Sequence, residues 1–287
     1  IFMIFTELSP YWIHNLSPFL WKFPESWGNW GPGGIRWYGV SYLMGFFTAF
    51  LLLNYYHKKA RSPYEGDQIL NLMTFQVLGV LLGGRIGFLL LYQFNKFIED
   101  PLILLRVWEG GMASHGGFLG VIIATIWYAR HSKQHILPVA DLIVSVVPPG
   151  LFFGRIANFI NGELWGKKTE VSWGVLFPKA PDFGLQIARH PSQLYAAVCE
   201  GLIPFLYIQY RFWNSSITKS TPGHLSGEFL ILYAICRFGN EFFRQPDASP
   251  IMNLSRGQFY SLFLLFGGIL LILLSRKKVK SRSVQLK

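Results

Sequence analysis

Three stretches of the chain are almost free of charge. Tyr38 to Tyr56 has no acidic or basic residue, Gln68 to Asn95 has Arg85 alone, and Gly257 to Ser275 has none. Runs of about 20 apolar residues match the thickness of the hydrocarbon layer and read as membrane spans. Other segments carry the same pattern with polar interruptions. The expected architecture is an all-α polytopic membrane protein of about seven transmembrane helices, near 36–56, 68–93, 113–130, 137–160, 191–211, 225–243 and 257–275. Helices are expected throughout, because lipid cannot satisfy open backbone groups.

The connections suggest an orientation. Lys58, Lys59 and Arg61 follow the first span, Arg130 and Lys133 the third, Arg211 and Lys219 the fifth, and Arg276, Lys277, Lys278, Lys280 and Arg282 the last. Basic loops favour the cytoplasm, so the N-terminus and the 161–190 segment are expected outside and the C-terminus inside. Acidic residues on the outer segments, such as Glu99, Asp100, Glu109, Glu170 and Asp182, contribute little to orientation. Residues 1–35, with Trp12, Trp21, Trp27 and Trp30 among prolines and glycines, are expected to lie along the outer interface, with a short amphipathic helix as one form. Residues 36–275 form the membrane domain, and 276–287 a basic, frayed cytoplasmic tail on anionic lipid. No basic region followed by a short apolar core opens the chain, so no removable signal peptide is expected.

Composition agrees. The chain is 51% hydrophobic and 14% charged, where a soluble domain has about 25% charged residues. The net charge of +11 could suit nucleic acid, but with so much of the chain in lipid it reads as topology and anionic membrane lipid, with no nucleic-acid partner. Cys199 and Cys236 lie in apolar stretches and read as packing residues, not as a disulfide framework or metal set.

Ionisable groups at membrane depth are costly and mark function by default. They are Arg85, His115, Arg155, Glu163, Arg237 and Glu241. Tyr233, Arg237, Glu241 and Arg244 are spaced to share one helical face; an ion pair that merely orders the bundle explains them about as well. Arg155 and Asn158 share a face ahead of Asn161, Gly162 and Glu163. A guanidinium is a planar fork suited to phosphate oxygens, and its buried charge demands an anion. The arginines outnumber the acids noted beside them, an excess that an incoming phosphate would balance. His115, between glycines, suits proton transfer. Arg85, in a similar glycine setting, reads as structural or substrate-contacting. Pro191, Ser192 and Gln193 read as a helix start. No His-Glu-x-x-His, Gly-x-x-x-x-Gly-Lys or Gly-x-Ser-x-Gly motif is present. An anion transporter or a purely structural subunit are the rival readings, but a transport path would spread its charges across the membrane.

Taken together, these motifs resemble a known family. Ile35-Arg36-Trp37-Tyr38-Gly39, Gly83-Gly84-Arg85-Ile86-Gly87, Gly110-Gly111-Met112 with His115-Gly116-Gly117, the 154–166 and 189–195 segments, and Glu241 to Asp247 occur in order over about 34–265. The chain is similar to bacterial prolipoprotein diacylglyceryl transferases. The resemblance implies an enzyme of the bacterial inner membrane with its site toward the outer leaflet. It would move the diacylglyceryl group of phosphatidylglycerol to the lipobox cysteine of a prolipoprotein signal peptide, without cofactor or metal. Tyr38, His115, Arg155, Asn158, Glu163, Gly166, Tyr233, Arg237 and Glu241 align with family positions of functional weight; Arg244 and Arg85 join them as candidate substrate contacts. Arg155 and Arg237 are assigned to the phosphate and His115 to the proton, with Glu241, Tyr233 or water as alternative bases. Departures are Ala196, where a glutamate is expected, Ala113-Ser114 before the histidine, and a shorter 161–190 connection.

Overall fold

The computed structural model describes residues 10–24, 26, 33–106, 110–246 and 249–285; Trp27, Trp30, Glu109 and Asp247 lie outside them. The N-terminal segment forms short strands where an amphipathic helix was one expectation. β1 is Trp12–Ile13, β2 is Phe19–Lys22, and β3, Gly34–Arg36, pairs antiparallel with β2 and leads into α1, Trp37–Lys58. Then come α2, Gly66–Tyr92, the short α3, Phe94–Glu99, and α4, Ser114–His131.

The segment expected as one span at 137–160 is broken. α5, Ile136–Val146, and α6, Pro148–Ile160, meet at 40°. Pro148 and Pro149 fit the first turn of α6 but cannot donate the amides that would continue α5. β4, Val175–Leu176, pairs parallel with β1 and so ties the N-terminal segment to the 161–190 connection. The next span is also irregular: α7, Ser192–Ala196, passes through a π-helical segment, Ala197–Leu202, into α8, Ile203–Asn214. The short α9, Ile217–Ser220, precedes α10, His224–Asn240. α11, Arg256–Gln285, carries the basic tail on as helix, where fraying was expected.

The chain is mostly helical, as expected, but the spans expected at 137–160 and 191–211 are each built from shorter pieces. Among the described residues, three helices are long and apolar enough to cross a membrane by themselves, at Trp37–Lys58, Gly66–Tyr92 and Arg256–Arg276, and the bent α5–α6 pair makes a fourth. Their outward faces are apolar: Leu43 is 69% exposed and Phe266 67%, as lipid-facing side chains require. Between helices, small residues let backbones touch. A Cβ added to Gly87 of α2 would sit 2.8 Å from Gly116 Cα of α4, and one on Gly227 of α10 would sit 2.7 Å from the Gly268 carbonyl of α11. Close packing of this kind replaces the hydrophobic force that lipid removes.

Inside, Leu53, Tyr56, Ile69, Leu72, Tyr128, Val139, Ile208, Phe212, Leu225 and Phe229 form the apolar core. Helix α10 has no N-cap side chain of its own. Asp141 of α5 supplies one from outside, accepting from the Gly223 amide at 2.7 Å and from the Ser226 amide and hydroxyl at 2.8 and 2.7 Å. A carboxylate at a helix N-terminus is doubly favoured, by free amides and by the helix dipole.

Candidate active site

The ends of α6, α7 and α10 meet around a small cleft, partly open to its surroundings. It is lined by Arg155, Asn158, Leu164, Ser192, Gln193, Ala196, Arg237, Asn240 and Arg244. Three guanidiniums and three amides face it, and no carboxylate does among the described residues. A donor-rich wall in a membrane-embedded bundle suits a phosphate or carboxylate.

The cations are held from behind. Arg155 donates through Nε and Nη2 to one oxygen of Glu200, at 3.1 and 2.7 Å. Arg237 Nη1 and Asn240 Nδ2 donate to its other oxygen, at 3.1 and 3.3 Å. Glu200 is wholly buried. Its place depends on close packing: a Cβ on the next residue, Gly201, would lie 2.6 Å from Phe152 Cα, so α6 and the π segment touch backbone to backbone. π turns of this kind recur at functional sites. The Tyr233 hydroxyl also contacts the Arg155 guanidinium. Arg237 Nη2 lies 2.6 Å from Glu241 Oε1, and Arg244 Nη1 lies 3.9 Å from the same atom.

Sequence reading overlooked Glu200. It sits in an apolar run without a recognisable motif, though an acid at that depth was itself a signal. With it counted, the cation excess shrinks to Arg155, Arg237 and Arg244 against Glu200 and Glu241. Glu163 adds a carboxylate beside the cleft, accepting from Asn158 at 2.9 Å and Asn161 at 3.4 Å. Three carboxylates thus stand beside the three guanidiniums of the cleft wall, and the side-chain amides of Asn158, Gln193 and Asn240 already donate to Glu163 and Glu200.

The turn after α6 is built from main-chain contacts. Gln193 and Ser192 donate to the carbonyls of Glu163 and Leu164, at 2.7 and 3.2 Å, so the helix-start residues also shape the cleft. Gly166 is wedged between His190 and Phe243: its amide donates to the His190 carbonyl at 2.9 Å, and a Cβ there would lie 2.5 Å from that oxygen and 2.6 Å from the Phe243 carbonyl. Arg189 fixes the same turn by donating to the Gly166 carbonyl at 3.0 Å and to Asp182 at 3.0 and 2.8 Å. Those hydrogen bonds hold the Asp182 carboxyl below its ordinary value, while burial lowers the nearby His190.

Other candidates stand apart from the cleft. Arg85 is buried but donates to main-chain carbonyls, those of Gly110, Ile103 at 2.5 Å and Arg106 at 2.8 Å. Arg85 does not line the cleft, and its terminal nitrogens hold the main chain at Ile103, Arg106 and Gly110. His115 is exposed at the start of α4, edge-on to Tyr260 at 5.1 Å. One turn on, Phe118 meets Tyr233 at 6.1 Å, which connects that wall to Arg155. Tyr38, near the start of α1, packs edge-on against Tyr42 at 5.4 Å and does not line the cleft. Ala196 lines the cleft without adding charge where a glutamate was expected.

Apolar helices long enough to cross a membrane, around a cleft lined by arginines and amides, define a membrane protein. Residues 27–274 match the family described as prolipoprotein diacylglyceryl transferase. Curated relatives carry the name phosphatidylglycerol–prolipoprotein diacylglyceryl transferase. One from Pseudoalteromonas translucida is 45% identical over 257 residues, covering 88% of this chain and 93% of its own. One from Pseudoalteromonas atlantica is 44% identical, covering 87% and 88%, and one from Xanthomonas oryzae is 42% identical, covering 86% and 89%. The chain belongs to the prolipoprotein diacylglyceryl transferase family.

Proposed function

We propose that the chain transfers the diacylglyceryl group of phosphatidylglycerol to the lipobox cysteine thiol of prolipoprotein signal peptides, a step of lipoprotein maturation. The observation that carries this is the cleft wall of Arg155, Arg237, Arg244, Asn158, Gln193 and Asn240, all donors. The thiol sulfur attacks the glyceryl carbon and the carbon–oxygen bond to phosphate breaks. The products are a thioether and glycerol phosphate, and the thiol proton passes to a base. Thiolate is the reactive form, and preorganised donors stabilise the charge growing on the departing phosphate. Arg155 and Arg237 serve that phosphate, with Asn158, Arg244 and Asn240 beside them. His115 takes the proton at the lipid-facing edge; Tyr233 and Glu241 orient the arginines, and Glu163 and Gly166 shape the wall. Tyr38 contacts lipid at the mouth of the bundle. No cofactor or metal enters this scheme.

The same reading covers topology. Seven spans place the N-terminus outside and the C-terminus in the cytoplasm, in the bacterial inner membrane, with the cleft toward the outer leaflet; basic connections on the other side support it. The domains are 1–35 at the interface, 36–275 in the membrane and 276–287 as a basic tail. Lipid and tethered peptide enter laterally between helices, and the 161–190 connection covers the cleft. A variant lacking 167–186 that kept full activity would contradict that cover.

The test is direct. Purified protein is given phosphatidylglycerol labelled in its acyl chains together with a lipobox peptide. Label on the peptide thiol supports transfer; lipid movement without covalent transfer points to transport instead.

A further inference from the structure

We infer that Ser255 is a positioning residue for the cleft, acting through Glu241; this rests on the function proposed above. Ile251 and Leu254 close a tight turn by exchanging main-chain hydrogen bonds of 2.9 Å. Met252 and Asn253 between them have φ of 51° and 63°, a left-handed pair that non-glycine residues seldom adopt together. The turn delivers Ser255 to the start of α11. There the Ser255 hydroxyl accepts from the Gln258 amide at 3.1 Å, and the Gln258 side chain accepts from the Ser255 amide at 3.0 Å. That reciprocal pair is a capping box.

The hydroxyl has a second task. It donates to Glu241 Oε2 at 2.6 Å. Gly257 permits the approach, since a Cβ there would lie 2.8 Å from Glu241 Cγ. The other carboxylate oxygen lies 2.6 Å from Arg237 Nη2 but is not aligned for a hydrogen bond, so charge alone holds it there. The aligned bond from Ser255 therefore fixes the plane of the carboxylate, and the carboxylate together with Glu200 holds the fork of Arg237. Ser255 itself does not line the cleft.

The two tasks separate chemically. Capping needs only an acceptor, whereas holding Glu241 needs a donor. Glycine is a tolerable N-cap, within a few tenths of a kcal/mol of serine, but has no hydroxyl; threonine keeps both functions. Aspartate caps well but cannot donate, and it would repel Glu241.

Full-length wild type, Ser255→Gly, Ser255→Thr and Ser255→Asp are compared for kcat and KM in the transfer assay and for thermal midpoint. The inference expects Ser255→Gly to lower the midpoint modestly, because buried Glu241 loses a donor, and to lose about ten-fold or more in kcat, the scale of one hydrogen bond to a charged group, with KM for phosphatidylglycerol little changed. Ser255→Thr restores kcat, and Ser255→Asp falls at least as far as the glycine variant. Wild-type kcat in Ser255→Gly overturns the inference, as does a loss that Ser255→Thr fails to restore. Should Ser255→Asp fail to fold, the glycine and threonine pair still decides. A wild type that transfers nothing overturns the proposed function instead.

Discussion

Arg155 places both Nε and Nη2 on a single oxygen of Glu200, at 3.1 and 2.7 Å, and so turns a fixed edge toward the cleft. Because the second oxygen of Glu200 serves Arg237 and Asn240, one carboxylate sets two guanidiniums. Removing one member of a buried pair commonly costs about 3–5 kcal/mol, chiefly by stranding the other charge. Glu200→Gln is therefore expected to lower thermal stability and to cut transfer by about 100-fold. A folded Glu200→Gln protein with wild-type rates would remove Glu200 from the account.

Asp141 separates stability from chemistry, because it caps α10 at the end away from the cleft. Asp141→Ala leaves the Gly223 and Ser226 amides without this acceptor. Each unsatisfied buried donor costs about 1–3 kcal/mol. The thermal midpoint should fall clearly, and less for Asp141→Asn, which keeps an acceptor. Turnover per folded molecule should stay near wild type; an intact midpoint in Asp141→Ala would contradict the capping role.

Acid should loosen the 161–190 connection. Asp182 is held below its ordinary pKa by Arg189, with Lys168 at 3.3 Å. A depressed folded pKa lends stability that is present above the unfolded value of about 3.9 and lost as pH falls through the folded one. Hydrogen exchange across 166–190 is expected to quicken as pH drops through that window, once the intrinsic pH dependence is corrected. Asp182→Asn should show the loosened state already at neutral pH. Equal protection in both proteins at every pH would contradict the role of this pair.

Gly166→Ala tests the wedge between α7 and the end of α10. Its Cβ would meet the carbonyl oxygens of His190 and Phe243 closer than real contacts allow, so those segments must part and the cleft wall shift. Transfer is expected to fall by about ten-fold or more while the protein stays inserted. A wild-type rate with an unchanged structure would show that the wall tolerates displacement.

The helices at Trp37–Lys58, Gly66–Tyr92 and Arg256–Arg276 were legible because long, nearly uncharged runs leave few alternatives to a helix in lipid. The break at Val147–Pro148 was carried by the proline pair, yet the unbroken apolar composition hid it. The π segment at Ala197–Leu202 left no mark in the pattern, and with it Glu200 passed unnoticed. Arg155, Asn158, Arg237 and Arg244 were found by depth and helical spacing, and they do share one cleft. Depth flagged Arg85 as well but not its direction: it does not line the cleft, and its terminal nitrogens donate to main-chain carbonyls between α2 and α4. Short strands such as β1 and β4 depend on pairing across more than 160 residues, which no local pattern announces.

The central claim is that Arg155 and Arg237 hold the phosphate that leaves. Transfer of labelled diacylglyceryl to a lipobox peptide is measured for Arg155→Ala, Arg237→Ala and their lysine counterparts, each shown to be folded and membrane-inserted. The account predicts a loss of about 100-fold or more in every one, lysine included, because a point charge cannot replace a fork. Wild-type transfer by a folded Arg155→Ala or Arg237→Ala protein would contradict it.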